Sequence, residues 1–244
     1  MKISDIFKPV DQKKFDIWQL KSLLISGMGI FTDGYDLSGM GIVLPFILAS
    51  FNLTSKSPNY VLYTGLITGT VLIGAAVGAI IFGFLGNKGR TKYYGIEMVF
   101  MTVGALLAAF VTTPLELILV RFILGFGLGA DYVLSTTIMA EHTGIKNRGK
   151  VMALGFGKMY GIGGSVAAAI TLALEAAGVP SNILWRVVLA LGAIPAALVV
   201  YSRRKIPETP RYLLRIKGDN QEFKEVMKTL AKTDVQVDRS LVDV

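Results

Sequence analysis

The 244-residue sequence contains no cysteine, one histidine and only 17% charged residues. Without cysteine the chain can form neither a disulfide bond nor a thiolate metal site, and we expect no metal and no organic cofactor. The first twenty residues are polar and basic, so they lack the apolar core of a cleaved secretory signal. These absences exclude disulfide-stabilised and thiolate-metal proteins and leave hydrophobicity as the main feature of the chain.

Hydrophobic residues make up 52% of the sequence, and its mean hydropathy is +0.57. Segments of apolar residues recur at regular intervals, and each is long enough to cross about 30 Å of hydrocarbon as a helix. We therefore predict an all-α membrane protein with six transmembrane helices. The segments are approximately 22–50, 60–85, 93–111, 115–140, 151–174 and 183–201.

The net charge of +8 does not indicate nucleic-acid binding, because the basic residues collect in alternate connections between the apolar segments. By the positive-inside rule, this pattern predicts a multi-pass protein of the cell membrane with both termini cytoplasmic. The basic residues on the predicted cytoplasmic side are Lys2, Lys8, Lys13, Lys14, Lys21, Lys88, Arg90, Lys92, Lys146, Arg148, Lys150, Arg203, Arg204 and Lys205.

We divide the chain into a cytoplasmic segment 1–20, a six-helix bundle 21–202 and a cytoplasmic segment 203–244, which we interpret as the start of a central loop. In the first segment, Phe7 is expected at the level of the lipid headgroups. In the last, one amphipathic helix is predicted near Asn220 to Ala231. Glycines four residues apart in the bundle predict close helix packing: Gly65/Gly69, Gly74/Gly78, Gly125/Gly129 and Gly157/Gly161.

Several charged residues lie inside the apolar segments, namely Asp33, Asp36, Glu97, Asp131 and Lys158. A charge at the centre of a span costs about 2.5–3.5 kcal/mol, so each must be paired, protonated or exposed to water. Asp33 and Asp36 lie three residues apart on one helix face, and two adjacent carboxylates disfavour double ionisation. We interpret the acids as a proton relay. The alternative is structural pairing with Arg121 or Lys158.

Other polar residues of the bundle have less defined roles. We expect Arg121 near the outer end of the fourth segment, where its side chain can reach the interface. Lys158 is either a counter-ion for Asp131 or a direct ligand of an anionic substrate. His142 is expected to be a solvated loop residue. Tyr35, Tyr132 and Tyr160 either bind a polar substrate or pack between helices.

Four motifs in the same order resemble those of a known family: GIFTDGYDL, GFLGNKGRTK, RFILGFGLGADYVLS with MAEHTGIKNRGK, and PETPRYLL. Together they resemble the amino-terminal half of a major facilitator superfamily transporter, most like the phosphate:proton and metabolite:proton symporters. The resemblance implies half of a twelve-helix fold, built from two inverted three-helix repeats, in which substrate binds between two halves. Consistent with such a repeat, Tyr35-Asp36-Leu37-Ser38 and Tyr132-Val133-Leu134-Ser135 occupy corresponding segments.

The resemblance also implies roles for individual residues. Asp33 and Glu97 correspond to proton-coupling positions, and Asp131 and Tyr132 to the substrate site. Asn87, Arg90, Lys92, Glu141 and Arg148 are the candidate cytoplasmic gate residues. The sequence departs from the family where Met159 replaces a substrate-binding glutamine and where Asn87 replaces an aspartate.

The sequence therefore predicts a transporter rather than an enzyme, which couples protons to uptake of a small anion, either phosphate or an organic acid. The expected partners are the solute, the proton, the lipid bilayer and a second six-helix half, supplied by a missing carboxyl half, a split partner or a second copy. A sugar transporter of the same superfamily and a half-carrier that is inactive alone remain alternatives. An intramembrane aspartyl protease that uses Asp36 and Asp131 is a remote alternative. Compared with the motif of such proteases, one residue is inserted before Asp131, which would rotate this side chain by about 100° around its helix.

Overall fold

The computed structural model describes residues 6–12 and 14–231, and all regular structure in these ranges is helical. The predicted basic residues Lys2 and Lys13 and the last part of the cytoplasmic segment, 232–244, lie outside them. One helix overlaps each predicted apolar segment. These helices are α1 (Ile17–Ser50), α2 (Tyr60–Gly86), α3 (Ile96–Ala108), α4 (Pro114–His142), α5 (Ile145–Ala176) and α6 (Ser181–Arg204).

Within the described residues, four of these helices are long and apolar enough to cross a membrane, whereas six spans were predicted. The four are α2, α4, α5 and α6. Helix α3 has only 13 residues, and α1 has 34 residues but contains Asp33 and Asp36. The difference arises because α3 is shorter than the apolar segment that encloses it, and because carboxylates lower the mean hydropathy of α1.

Local signals in the sequence explain where two of the helices begin. Asp16 caps α1 by accepting a hydrogen bond from the backbone N–H of Gln19 at 3.0 Å. Thr113 and Glu116 form a reciprocal capping box at the start of α4, where Pro114 occupies the first helical position. Both devices satisfy backbone N–H groups that a helix start leaves without intrahelical partners.

Two helix pairs form the centre of the bundle, and glycines allow both to approach closely. In the α2–α4 pair, Gly74 and Gly78 face the backbone of α4, while Gly125 and Gly129 face the backbone of α2. In the α1–α5 pair, Gly34 faces the backbone of Tyr160 and Gly163 faces that of Phe31. A Cβ atom at any of these positions would overlap backbone atoms of the facing helix. Glycine is therefore required at these crossings.

The other two predicted glycine pairs do not lie at helix contacts. Gly65, Gly69, Gly157 and Gly161 have no atom within 4 Å of an added Cβ among the described residues. Gly157 belongs to a stretch of α5, Ala153–Lys158, that forms wider π-helical turns. The prediction that these two pairs pack within the bundle is therefore wrong.

A second apolar cluster joins the segments before and after the bundle. Ile6, Phe7 and Val10 pack against Tyr212–Leu214 and against helix α7 (Asn220–Ala231), which is the predicted amphipathic helix. The Phe7 ring lies 6.1 Å from that of Phe223, edge to face. Phe7 is 3% exposed, so it lies in this cluster rather than at the lipid headgroups.

The glycine crossings predict the effect of a single substitution on α2. Gly78→Leu places a side chain against the backbone of Phe126, so we expect it to destabilise the bundle by about 1–3 kcal/mol or more. The matched control Gly65→Leu, on the same helix, faces open space and should not destabilise it. Thermal unfolding in detergent measures both, and equal losses would contradict the assigned crossing.

Candidate functional site

A buried ion-pair cluster joins three helices at the centre of the helix bundle. One nitrogen of the Arg203 guanidinium, Nη1 on α6, donates to Glu97 of α3 at 2.6 Å and to Asp131 of α4 at 2.5 Å. All three side chains are 0% exposed. Because a buried charge without a partner is very costly, this pairing permits three charges at the core of an apolar bundle.

The position of the Arg203 guanidinium depends on a hydrogen bond to α1, on its contact with an aromatic ring and on the lack of a side chain at Gly29. Its Nη2 donates to the carbonyl of Ser26 on α1 at 3.2 Å, and its Cζ lies 4.5 Å from the centre of the Tyr94 ring. A Cβ atom at Gly29 would overlap the guanidinium and the Asp131 carboxylate. Glycine at position 29 therefore gives the guanidinium the space to reach α1.

Asp33 lies beside this cluster but does not join its hydrogen bonds. The side chain is 0% exposed, and neither carboxyl oxygen accepts a hydrogen bond from any described residue. It interacts electrostatically with Asp131, Arg203, Asp36 and Glu97. The structure thus brings together three of the four predicted proton-coupling residues, Asp33, Glu97 and Asp131, and leaves one of them unpaired.

The fourth, Asp36, forms a separate ion pair. Nη1 of Arg121 donates to its two oxygens at 2.9 and 2.6 Å. Arg121 is 1% exposed, so the expectation that it reaches the interface is wrong, and its side chain is instead paired with Asp36. Since Asp36 is bound to Arg121 and Asp131 to Arg203, these two acids do not form the shared-proton pair of an aspartyl protease.

The residues predicted for substrate binding lie in different environments. The Tyr35 hydroxyl is buried and donates to the carbonyl of Val188 at 2.8 Å. Tyr132 is partly exposed beside Phe156, and their ring centres are 5.5 Å apart. Lys158 is exposed on α5 and lines a shallow cavity of about 470 Å³ with Gly157, Gly161 and Ser165. The counter-ion of Asp131 is therefore Arg203 and not Lys158.

The candidate gate residues are brought together only in part. Arg90 forms an ion pair with Glu141 at 3.4 Å and donates to the Asn87 side chain at 3.2 Å. Arg148 instead donates to the carbonyl of Thr143 at 3.4 Å, and Lys92 lies 5.5 Å from the Tyr93 ring centre. The pairing of Arg90 with Glu141 connects the α2–α3 loop to the end of α4.

Sequence reasoning missed two groups that the structure places in these clusters. Arg203 was assigned to the cytoplasmic basic residues, because it follows the last apolar segment, yet it is 0% exposed. Glu208 accepts hydrogen bonds from the N–H and hydroxyl of Thr91, and Thr209 donates to Glu141. Glu208 and Thr209 belong to the quoted PETPRYLL motif, and that motif was the sequence feature that could have identified them. His142 also differs from prediction: it ends α4, is 1% exposed and contacts the Ile138 carbonyl at 3.1 Å.

The buried pair of Asp36 and Arg121 predicts a non-additive effect on stability. Arg121→Met leaves the Asp36 carboxylate without its cation and should cost about 3–5 kcal/mol. Adding Asp36→Asn removes the uncompensated charge, so the double variant should be more stable than Arg121→Met alone. Thermal unfolding of both variants, with exposed Lys158→Met as the control cation deletion, checks this, and a double variant less stable than the single one contradicts it.

Glu208, outside the membrane-spanning helices, predicts a pH effect. Burial raises the pKa of its carboxyl group above the ordinary value of 4.5. Below the unfolded-state pKa, Glu208 is protonated in both the folded and the unfolded state. As pH rises from the unfolded-state pKa through the higher folded-state pKa, the unfolded state loses its proton first, and this ionisation favours unfolding. The Glu208 contribution to stability should thus decline over that interval, and Glu208→Gln should remove this decline.

Unfolding temperatures measured at a series of pH values test the Glu208 effect. Glu225→Gln, which changes an exposed acid on α7, is the matched control and should retain the wild-type pH dependence. Identical pH profiles for wild type and Glu208→Gln would contradict the assignment.

Three kinds of comparison relate this chain to known proteins. Residues 22–244 match the model of the family described as sugar (and other) transporters. The chain is 35% identical over 265 residues to low affinity inorganic phosphate transporter 8 of Medicago truncatula, which covers 96% of this chain and 47% of that protein. It is 32% identical over 270 residues to inorganic phosphate transporter 1-1 of Arabidopsis thaliana, covering 98% and 51%. The chain thus spans about half the length of these relatives.

Solved structures share the fold at lower identity. The partially occluded inward-open form of the xylose transporter XylE from E. coli aligns with a TM-score of 0.78 and 21% identity, over 88% of this chain and 57% of that chain. The proton:xylose symporter XylE bound to 6-bromo-6-deoxy-D-glucose gives the same TM-score and identity, over 88% and 51%. The helical arrangement described above therefore matches about half of the XylE fold.

Proposed function

We propose a function from the premise that this chain belongs to the sugar (and other) transporter family of the major facilitator superfamily, a family of transporters and not of enzymes. The chain takes part in proton-coupled symport of a small anionic solute across the cell membrane by alternating access. The observation that carries the proton coupling is the buried Asp33 carboxyl group, which has no hydrogen-bond donor among the described residues.

Asp33 has the properties that reversible proton binding requires. Its carboxyl group lies near two other acids, Glu97 and Asp131, at a depth where ionisation without a partner is unfavourable. The other two acids share the positive charge of Arg203, whereas Asp33 has no ion-pair partner among the described residues. Protonation of Asp33 would remove an unpaired buried charge, and deprotonation would restore it. The net charge inside the bundle would therefore change when a proton from one side of the membrane binds to Asp33 or leaves it.

The proposed solute is inorganic phosphate, and an organic acid is the second choice. Phosphate is favoured because the relatives that are 32–35% identical are named as inorganic phosphate transporters. On this chain, Lys158 and Tyr132 are accessible groups that can bind an anion, whereas Asp131 is occupied by Arg203 and Ser135 in the present conformation. Met159, in place of a glutamine, leaves Lys158 to supply the donor on α5.

We also propose that α1 and α3 cross the membrane with the other four helices, as two inverted three-helix repeats. Exchanging α1–α3 with α4–α6 converts the α2–α4 crossing into the α5–α1 crossing, and both depend on glycine. The proposed orientation places both termini in the cytoplasm, because the basic connections fall on one side. The proposed bundle then extends to the end of α6 at Arg204 rather than to residue 202, because Arg203 lies in its core, and the segments before and after it are cytoplasmic.

The proposed partner is a second six-helix half that completes the substrate site. Helix α5 exposes small residues at every fourth position, which would permit close contact with another helix in the membrane. These residues are Ala153, Gly157, Gly161, Ser165, Ala169 and Ala173. Lys158 and the partly exposed Tyr132 and Tyr160 lie where such a partner would approach.

Two alternatives within transport remain distinguishable by experiment. The family description and the shared fold of the xylose transporter favour sugar as the alternative solute. A half-carrier without activity of its own is the other alternative. It predicts that neither phosphate nor xylose raises the unfolding temperature of the purified chain, whereas a binding site predicts stabilisation by its ligand.

Uptake into liposomes tests the proposed function. With an inward proton gradient and a second half supplied, liposomes that contain the wild-type chain should accumulate radiolabelled phosphate, and Asp33→Asn should abolish gradient-driven accumulation because asparagine cannot exchange a proton. Glu175→Gln, an exposed acid at the end of α5, is the matched control and should behave as wild type.

The uptake experiment is run with the chain alone and with the carboxyl-terminal half of a phosphate-transporter relative in the same liposomes. Activity only in the mixture would support the second-half proposal. Accumulation of xylose but not phosphate would favour the sugar alternative. Equal gradient-driven uptake by wild type and Asp33→Asn would overturn the role of Asp33.

A further inference from the structure

The central cluster contains more acidic groups than basic ones. Asp33, Glu97 and Asp131 contribute three carboxyl groups, and Arg203 contributes one guanidinium, all at 0% exposure. If all three acids were ionised, the cluster would hold two uncompensated negative charges away from water, which is strongly unfavourable. The cluster is therefore expected to retain a proton, and the geometry around Arg203 decides where it resides.

The groups that face the cluster from neighbouring elements do not supply a second cation. On α1, Asp36 is paired with Arg121. Tyr94, which precedes α3, hydrogen-bonds Ser26 and Ser135, and Tyr132 of α4 and Tyr160 of α5 are uncharged phenols. Among the described residues, Arg203 is the basic group that contacts Glu97 and Asp131.

We propose that Arg203 is a positioning residue that assigns the exchangeable proton to Asp33, by holding Glu97 and Asp131 in their ionised forms. A guanidinium stays charged inside proteins, and charged hydrogen bonds favour the ionised form of the carboxylate that accepts them. Asp33 accepts no hydrogen bond from a described residue, so nothing comparable favours its ionised form. This inference rests on the proposed role of Asp33 in proton coupling and names the residue that sets it.

The surrounding structure explains why Arg203 selects two of the three acids. Its Nη1 atom reaches both Glu97 and Asp131, while Nη2 is directed to the Ser26 carbonyl and occupies the space beside Gly29. Glu97 and Asp131 thus share the Nη1 atom, while the Nη2 atom is bound to the backbone of α1. The guanidinium makes no hydrogen bond to Asp33, although Asp33 lies on the same helix as Ser26.

Infrared spectroscopy of the purified chain tests the assignment without any substrate, because protonated carboxyl groups absorb separately from carboxylates. At neutral pH, Asp33→Asn should remove one protonated carboxyl group from the wild-type spectrum. Arg203→Met should add the signal of one further protonated carboxyl group, since three acids then lack a cation. Arg204→Met deletes the neighbouring, exposed arginine and is the matched control, which should leave the spectrum unchanged.

Two further variants separate positioning from a merely structural role. Arg203→Lys retains the charge and should keep the wild-type signal. Arg203→Met with Glu97→Gln removes one cation and one acid together, so its signal should return to that of a single protonated group. If Arg203→Met alone fails to fold, Arg203→Lys decides the outcome, because an additional protonated carboxyl group in a variant that retains the positive charge would contradict the inference.

The inference is overturned if Asp33→Asn retains the full wild-type signal, or if Arg203→Met shows the same signal as Arg204→Met. Phosphate uptake by the same proteins is measured in parallel. Spectra as expected together with no proton-driven uptake would overturn the proposed function and leave the assignment of the proton intact. Normal uptake with an unchanged Arg203→Met spectrum would overturn only the inference.

Discussion

The pairing of Arg203 with Glu97 and Asp131 is the interaction on which the centre of this bundle depends, because an apolar core does not tolerate unpaired charge. It joins α6 to α3 and α4, and the contact with Ser26 adds α1. The same contacts hold the three acids in different environments. Asp33 differs from Glu97 and Asp131 because its carboxyl group accepts no hydrogen bond from a described residue, and the proposed proton exchange at Asp33 follows from that difference.

The glycine crossings make this arrangement possible. Where α2 meets α4 and α1 meets α5, the backbones approach so closely that a Cβ atom would not fit. Membrane helices gain little from hydrophobic burial against one another, so close packing of this kind is a main source of their association. Two such pairs leave the outer face of α5 uncovered, and its small residues have the character of a contact surface.

Sequence reasoning located the six helices of the bundle because each lies in an apolar segment, although only four of them are long and apolar enough to count as spans. It identified Asp33, Glu97 and Asp131 because charges inside such segments are conspicuous. It did not identify Arg203, since a basic residue at the end of an apolar segment has the same sequence signature whether it faces solvent or turns inward. Periodicity also could not distinguish Gly74 and Gly78, which lie at a crossing, from Gly65 and Gly69, which do not. These distinctions depend on tertiary contacts.

The space beside Gly29 links two positions that are far apart in the chain. The guanidinium of Arg203 occupies the volume that any side chain at position 29 would need. A larger residue at 29 therefore requires the guanidinium of Arg203 and the carboxylate of Asp131 to move from their present positions. Among related sequences the two positions are expected to covary, and a member with alanine or serine at 29 would hold the cation of its central acids in a different position.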